Sequence, residues 1–318
     1  MPTAGFIFPG QGSQTAGMGA DVAARFAQSR ECFDRAAKVL GYDLLAKIAH
    51  ADADELRETR LSQPAIFTAN VAIYRAVRTL GLQPIVSAGH SFGEFCSLEI
   101  AGAMEFEEAL RVVNERALAM GEASDRAPGA MAAIIGIEEA AVDELCRRAR
   151  EQSGARVDIG NLNTLTQIVV SGDRTGVQAA CDLAKDAGAK RVRMLNVSGA
   201  WHSTLMEPAM PRFEKAVKSA AIALPAFTVI SNVTARPYRS VDEIRSAMLA
   251  SVCSRVRWHE AAMTLVGLRP DVIVECGASE VLAPMMKRLP DIGDIRVAHV
   301  GDAADLDDLQ TALGLSAA

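Results

Sequence analysis

Pro84-Ile85-Val86-Ser87-Ala88-Gly89-His90-Ser91-Phe92-Gly93 runs a short apolar segment directly into a Gly-x-Ser-x-Gly turn. The apolar run predicts a buried strand, and a long helical stretch follows from about Gly93. Strand, tight turn and helix in that order expose a serine hydroxyl at the top of a sheet. The glycines let the backbone reverse without side-chain clash. The start of the helix adds amide donors where an oxyanion would form. The same residues also suit a Gly-rich β–α turn with an ordinary serine cap. The setting between strand and helix, more than the pattern itself, makes Ser91 a candidate nucleophile.

Outward from this turn, the chain alternates strands and helices. Upstream, Gly5-Phe6-Ile7-Phe8 is a short apolar run followed by the Gly-rich loop Pro9-Gly10-Gln11-Gly12-Ser13-Gln14. Helical spacing fills 20–82, with breaks expected at Gly41, around Ser62-Gln63-Pro64 and at Gly81. The alternation predicts an α/β fold with a mostly parallel sheet. Residues 128–198 read differently. Strands at 131–136, 157–159, 167–172 and 191–197, with helices at 138–152 and 175–187, give the order β-α-β-β-α-β, and a polar turn is expected through Asn161 and Asn163. This is the ferredoxin-like split βαβ pattern. We therefore expect a core domain made of 1–127 and 199–318, with 128–198 as an inserted ferredoxin-like subdomain. Later strands at 228–231, 272–277 and 295–300 return the chain to the larger domain.

The 318 residues are enough for a sizeable core, and at 50% hydrophobic and 23% charged they match an ordinary globular protein. The N-terminal residues lack the basic and apolar regions of a secretory signal, and no apolar run reaches membrane-spanning length. With 33 basic and 39 acidic residues the net charge is −6, which does not favour nucleic acid or anionic membranes as partners. The six cysteines are scattered, with no Cys-x-x-Cys pair, so neither a metal site nor a disulfide framework is expected. Free buried thiols in a reducing cytoplasm fit that spacing.

A serine nucleophile needs a base at neutral pH. Of the five histidines, His90 adjoins Ser91 and should point away from it. His50 ends a helical segment, His259 opens a helix, and His299 alternates within a strand. His202 follows the strand ending near Val197, and open α/β sheets build sites beyond the carboxyl ends of their strands. It is the favoured base, with ordinary packing as the alternative.

Several motifs then fall in one order and spacing: Phe8-Pro9-Gly10-Gln11-Gly12-Ser13-Gln14, Ser62-Gln63-Pro64-Ala65, Gly89-His90-Ser91-Phe92-Gly93-Glu94, Asn114-Glu115-Arg116 and Ser198-Gly199-Ala200-Trp201-His202-Ser203. From about residue 4 to about 300 the chain resembles malonyl-CoA:acyl-carrier-protein transacylases and the related polyketide synthase acyltransferases. The resemblance implies a hydrolase-like α/β core with the inserted subdomain. It also implies that Ser91 carries the acyl group and His202 is base and then acid. The Gln11 and Phe92 backbone amides would form the oxyanion hole, and Arg116 would pair with the free carboxylate of a malonyl group. A planar guanidinium matches a carboxylate fork. Without the resemblance, Arg116 reads as a surface helix residue.

In this family a backbone carbonyl orients the histidine, and its usual glutamine is Ser251 here. The usual leucine after the nucleophile is Phe92, and Trp201 precedes the histidine, so both are expected at the acyl pocket. The wording of 159–163 and 230–237 leans toward discrete, trans-acting polyketide acyltransferases.

The expected activity is ping-pong transfer of malonyl from malonyl-CoA to the phosphopantetheine thiol of an acyl carrier protein, in polyketide or fatty-acid biosynthesis. No metal or bound cofactor is expected. An editing hydrolase of acyl-carrier thioesters is the first rival, and a non-catalytic docking protein the second. Carrier proteins of this kind are acidic, so docking on a net-negative chain needs a local basic patch. Lys190, Arg191 and Arg193 form one, and a solvated strand edge is the other reading of the same three residues.

Overall fold

The computed structural model describes residues 1–315. Among the described residues nine strands are formed: β1 (Thr3–Phe8), β2 (Gln83–Gly89), β3 (Gly129–Ile135), β4 (Val157–Thr164), β5 (Gln167–Asp173), β6 (Arg191–Met194), β7 (Thr228–Ile230), β8 (Val272–Cys276) and β9 (Arg296–Val300). Five make a parallel sheet in the order β7-β2-β1-β8-β9. The apolar runs explain why these strands are central. Along β1, Ala4, Phe6 and Phe8 face a core built largely from the helices Ala27–Leu40, Thr59–Arg78 and Phe106–Arg126. Ile7 points to the opposite core, with Trp258 and Leu265 of the helix Trp258–Gly267. Helices thus cover both faces, as a parallel sheet requires.

The remaining strands form an antiparallel sheet in the order β4-β5-β3-β6. Its residues Ala132, Ile134 and Val170 pack against the helices Glu139–Ser153 and Arg174–Asp186. Met131, Ala133 and Val169 face the larger core instead. The α/β class and the βαββαβ order are as the sequence predicts. Strand alternation sends one set of side chains to the local helices and the other toward the nucleophile.

Four local expectations are corrected. Ser62-Gln63-Pro64 does not break a helix, because Pro64 lies inside Thr59–Arg78. Proline there removes one backbone donor, and the burial of nearly every side chain of this helix outweighs that loss. Asn161 and Asn163 do not make a turn. They lie in β4, where Leu162 N–H donates to the Val256 carbonyl at 2.8 Å and ties the small sheet to the larger domain. The stretch after Gly93 is two helices, Gly93–Ile100 and Phe106–Arg126, separated at Gly102, whose φ of 71° ends the first. The strand expected to reach Val197 ends at Met194.

Candidate active site

The Gly89–Gly93 turn is formed by close backbone approach. A Cβ on Gly93 would lie 2.3 Å from the Phe8 carbonyl oxygen, and one on Gly10 would lie 2.6 Å from the His90 carbonyl oxygen. Only glycine lets β1 and β2 bring their loops together this closely. Ser91 sits between them at φ 55°, in the left-handed region. Such a conformation is uncommon for a residue with a Cβ and is often a feature of reactive turns.

Ser91 Oγ lies 2.7 Å from His202 Nε2. His202 Nδ1 lies 2.8 Å from the Ser251 carbonyl oxygen. A carbonyl only accepts, so Nδ1 carries the proton and Nε2 presents its lone pair to the serine hydroxyl. No carboxylate takes part in this pair. His202 is buried. Burial, and then the nearby Arg116 charge, push its pKa down to about 3, so the ring is neutral and its Nε2 is free to accept a proton.

His202 does not reach the site from a parallel strand. It follows β6, an edge strand of the antiparallel sheet, through an irregular segment. That segment is pinned by Ser124 Oγ donating to the Ser198 carbonyl at 2.6 Å. His202 itself has φ 60°. Ser251 contributes only its carbonyl. Its hydroxyl donates back to Met248 at 2.7 Å, and its side chain is not among those lining the cavity.

Beside the dyad is a cavity of about 80 Å³, lined among others by Gln11, Phe92, Arg116, Trp201, Met131 and Asn161. A water molecule's share of liquid volume is about 30 Å³, so the space suits only a few heavy atoms. Phe92 is at the N-cap of Gly93–Ile100, and Gln11 comes from the loop after β1. Gln11 is held by its side chain, whose Nε2 donates to the Arg57 carbonyl at 3.1 Å.

Arg116 is 1% exposed. Its Nη1 donates to Gln63 Oε1 at 2.7 Å, while Nε and Nη2 are buried with no partner. Burial lowers its pKa to about 10, a shift opposed by the Glu94 carboxylate, so it remains a cation at neutral pH. A buried cation with idle donors in a cavity is poised for an anionic ligand. The surface reading of Arg116 is therefore excluded by its burial.

The other histidines lie outside the dyad. His90 Nε2 is 2.9 Å from Asn163 Oδ1, and its ring lies 5.8 Å from that of Trp258. His299 contacts the Gly277 carbonyl, while His50 is exposed and His259 half-buried. Lys190, Arg191 and Arg193 are exposed around β6 and lie outside the cavity. Among the described residues no cluster of three His, Cys, Asp or Glu has metal-binding geometry. All six cysteines are free, and among the described residues no helix is long and apolar enough to cross a membrane.

Residue-level reading of the sequence missed Gln63, Glu94, Asn232 and Tyr238. The first two lie inside quoted motifs, so position relative to Arg116 and Ser91 was the available signal. Asn232 and Tyr238 come from a separate segment, with no local pattern linking them to the turn.

A half-buried serine paired with a buried histidine above a parallel α/β sheet, with a buried cation in the adjoining cavity and an antiparallel sheet beside it, is the arrangement of an acyl-transfer protein. The chain belongs to the acyl transferase domain family, which it matches over residues 5–301. It is 37% identical over 306 residues to the malonyl CoA-acyl carrier protein transacylase of Haemophilus influenzae, covering 96% of this chain and 97% of that one. The solved malonyl CoA-acyl carrier protein transacylase of Coxiella burnetii superposes with a TM-score of 0.90 at 36% identity, covering 97% of each chain. A malonyl-transacylase solved in complex with its type II polyketide synthase acyl-carrier protein superposes at 0.89 with 35% identity, covering 96% of this chain and 98% of that one.

Proposed function

We propose that the chain is a malonyl-CoA:acyl-carrier-protein transacylase working through an ester on Ser91. The observation that carries this reading is Arg116, buried in the dyad's cavity with two donors free for a carboxylate. In the first half-reaction Ser91 Oγ attacks the thioester carbon of malonyl-CoA while its proton passes to His202 Nε2. The carbonyl oxygen takes up negative charge, which the Gln11 and Phe92 amides stabilise. The C–S bond breaks, the His202 proton goes to the coenzyme A sulfur, and malonyl remains on Ser91. In the second half-reaction the phosphopantetheine thiol gives its proton to His202 and attacks the ester. The C–O bond breaks and Ser91 takes the proton back. Coenzyme A and the carrier arm are substrates. The side chains already present supply every proton transfer.

An editing hydrolase has no use for the Arg116 cation, because a simple acyl group brings no carboxylate. Lys190, Arg191 and Arg193 form the carrier-docking patch in this reading, supported by their exposure on the edge strand. A cytoplasmic setting agrees with six free thiols.

Intact-mass measurement after mixing with malonyl-CoA tests the whole reading. One malonyl adduct is expected, absent from Ser91→Ala and discharged by a phosphopantetheinylated carrier. Discharge by water alone, at the same rate with and without the carrier, would establish the hydrolase instead.

A further inference from the structure

Asn232 follows β7, far from the nucleophile in sequence, yet its side chain closes on the peptide groups of Ser91. Its Oδ1 accepts from the Ser91 amide at 3.2 Å, and its Nδ2 donates to the Ser91 carbonyl at 2.8 Å. The amide has one orientation open to it, since a flip would set donor against donor and acceptor against acceptor. Glu94, three residues beyond the nucleophile, fixes that orientation. Its Oε2 accepts from both the Asn232 backbone amide, at 2.8 Å, and Nδ2. Its Oε1 accepts from the Tyr238 hydroxyl. Every group facing this carboxylate is a donor. Glu94 and Asn232 are both buried, at 5% and 2% exposure. The Asn232 carbonyl accepts from the Arg257 amide at 2.9 Å, so the same residue is tied to the segment that follows Ser251.

We propose that Asn232, gripped by Glu94 and Tyr238, is a positioning residue that holds Ser91 in its left-handed conformation and keeps its hydroxyl aligned on His202. The inference rests on the acyl-transfer reading above. Asn232, Glu94 and Tyr238 do not themselves line the cavity. The clamp meets its wall only at the Ser91 backbone, and Glu94 acts on Arg116 by charge alone, with no hydrogen bond between them. Loss of the clamp is therefore expected to slow formation of the Ser91 ester without weakening capture of the malonyl carboxylate. A network serving only the fold would change stability and leave the rate of chemistry in folded molecules untouched.

The experiment is single-turnover acylation by malonyl-CoA, read as intact mass against time, together with malonyl-CoA affinity measured in a Ser91→Ala background. Asn232→Ala is expected to acylate about 10²-fold more slowly, the scale of a misaligned reacting group. Affinity for malonyl-CoA in the Ser91→Ala background is expected to stay within about twofold, because binding does not use the alignment. Glu94→Ala is expected to reproduce the defect. Glu94→Gln, which keeps an acceptor for Asn232 and turns its amide toward the Tyr238 oxygen, is expected to restore most of the rate. If Asn232→Ala does not fold, Tyr238→Phe decides the matter, since it removes one hydroxyl and must still slow acylation at unchanged affinity. A wild-type acylation rate in whichever folded variant is decisive overturns the proposal. So does a Glu94→Gln variant as slow as Glu94→Ala. If the wild-type protein forms no malonyl ester, the acyl-transfer reading fails rather than the clamp.

Discussion

Gln63 Oε1 accepts a 2.7 Å hydrogen bond from Arg116 Nη1 and thereby decides which edge of the guanidinium faces the cavity. Gln63 is itself fixed, its Nε2 donating to Thr59 Oγ1 at 2.7 Å within the same helix. The remaining donors, Nε and Nη2, form one edge of the guanidinium fork, the edge that pairs two-pronged with a carboxylate.

Arg116→Ala is expected to change which acyl group is used. Removing one partner of a buried ion pair costs about 3–5 kcal/mol, or about 10²–10³-fold and upward in kcat/KM for malonyl-CoA. Acetyl-CoA has no carboxylate to lose, so its use should hold or improve. Phe92 and Trp201 border the cavity, so malonyl should also be preferred over methylmalonyl by the wild-type protein. A competition assay with the three thioesters reads both effects. An equal fall for malonyl and acetyl would make Arg116 structural.

The pH dependence follows from His202. Its pKa lies near 3 in the fold, through burial first and the Arg116 charge second, against 6.5 for the free side chain. Between these values the unfolded chain binds a proton here that the folded chain does not. Stability therefore rises with pH across that window, by up to about 1.4 kcal/mol per unit, and the effect is complete above the free value. Urea unfolding at several pH values should show this slope reduced in His202→Ala. Acylation should not fall through pH 6.5, because the base stays unprotonated well below it. A tenfold loss per unit beginning at the free imidazole value would reject the buried-base reading.

Gly93 and Gly267 should respond oppositely to the same substitution. A Cβ on Gly93 meets the Phe8 carbonyl oxygen at 2.3 Å, whereas one on Gly267 meets nothing within 4 Å. Gly93→Ala should destabilise by about 1–3 kcal/mol through overpacking and reduce acylation by displacing the turn. Gly267→Ala ends a helix in open space and should be neutral or stabilising by up to about 1 kcal/mol. Denaturant midpoints for the two variants provide the comparison.

Charge reversal at Lys190 and Arg191 should raise the carrier KM and leave acylation by malonyl-CoA unchanged. Both side chains are exposed, and complementary charge acts mainly on encounter and orientation. Separate assays of the two half-reactions check this, and equal loss in both would indicate damage to the fold.

How much of this was legible in the sequence depended on how local the cause was. The strand, Gly89–Gly93 turn and helix start follow from adjacent residues, and so does the βαββαβ order. Pro64 misled because the burial of its helix depends on partners distant in sequence. Asn161 and Asn163 look like turn residues in isolation, and pairing with β5 and Val256 makes them strand. Ser91 and His202 could be chosen from pattern and elimination. His202 nevertheless lies beyond no parallel strand end; it approaches from the antiparallel sheet, a pairing its local sequence does not mark. Arg116 needed the family resemblance, because a helical arginine carries no local mark of burial. Asn232, Glu94 and Tyr238 meet only when three segments fold together, and no spacing announces that meeting.

The small sheet has one further consequence. Met131 and Asn161 on its strands, and Leu195 and Val197 on its return, wall the cavity, while Ser91, Phe92 and Arg116 come from the larger domain. The exposed basic residues around β6 belong to the same insert. In the proposed reading, chemistry and carboxylate capture are thus housed apart from part of the acyl wall and from the basic edge. Grafting residues 128–198 from a relative is accordingly expected to transplant acyl-size and carrier preference together, as a cassette, onto an unchanged nucleophile.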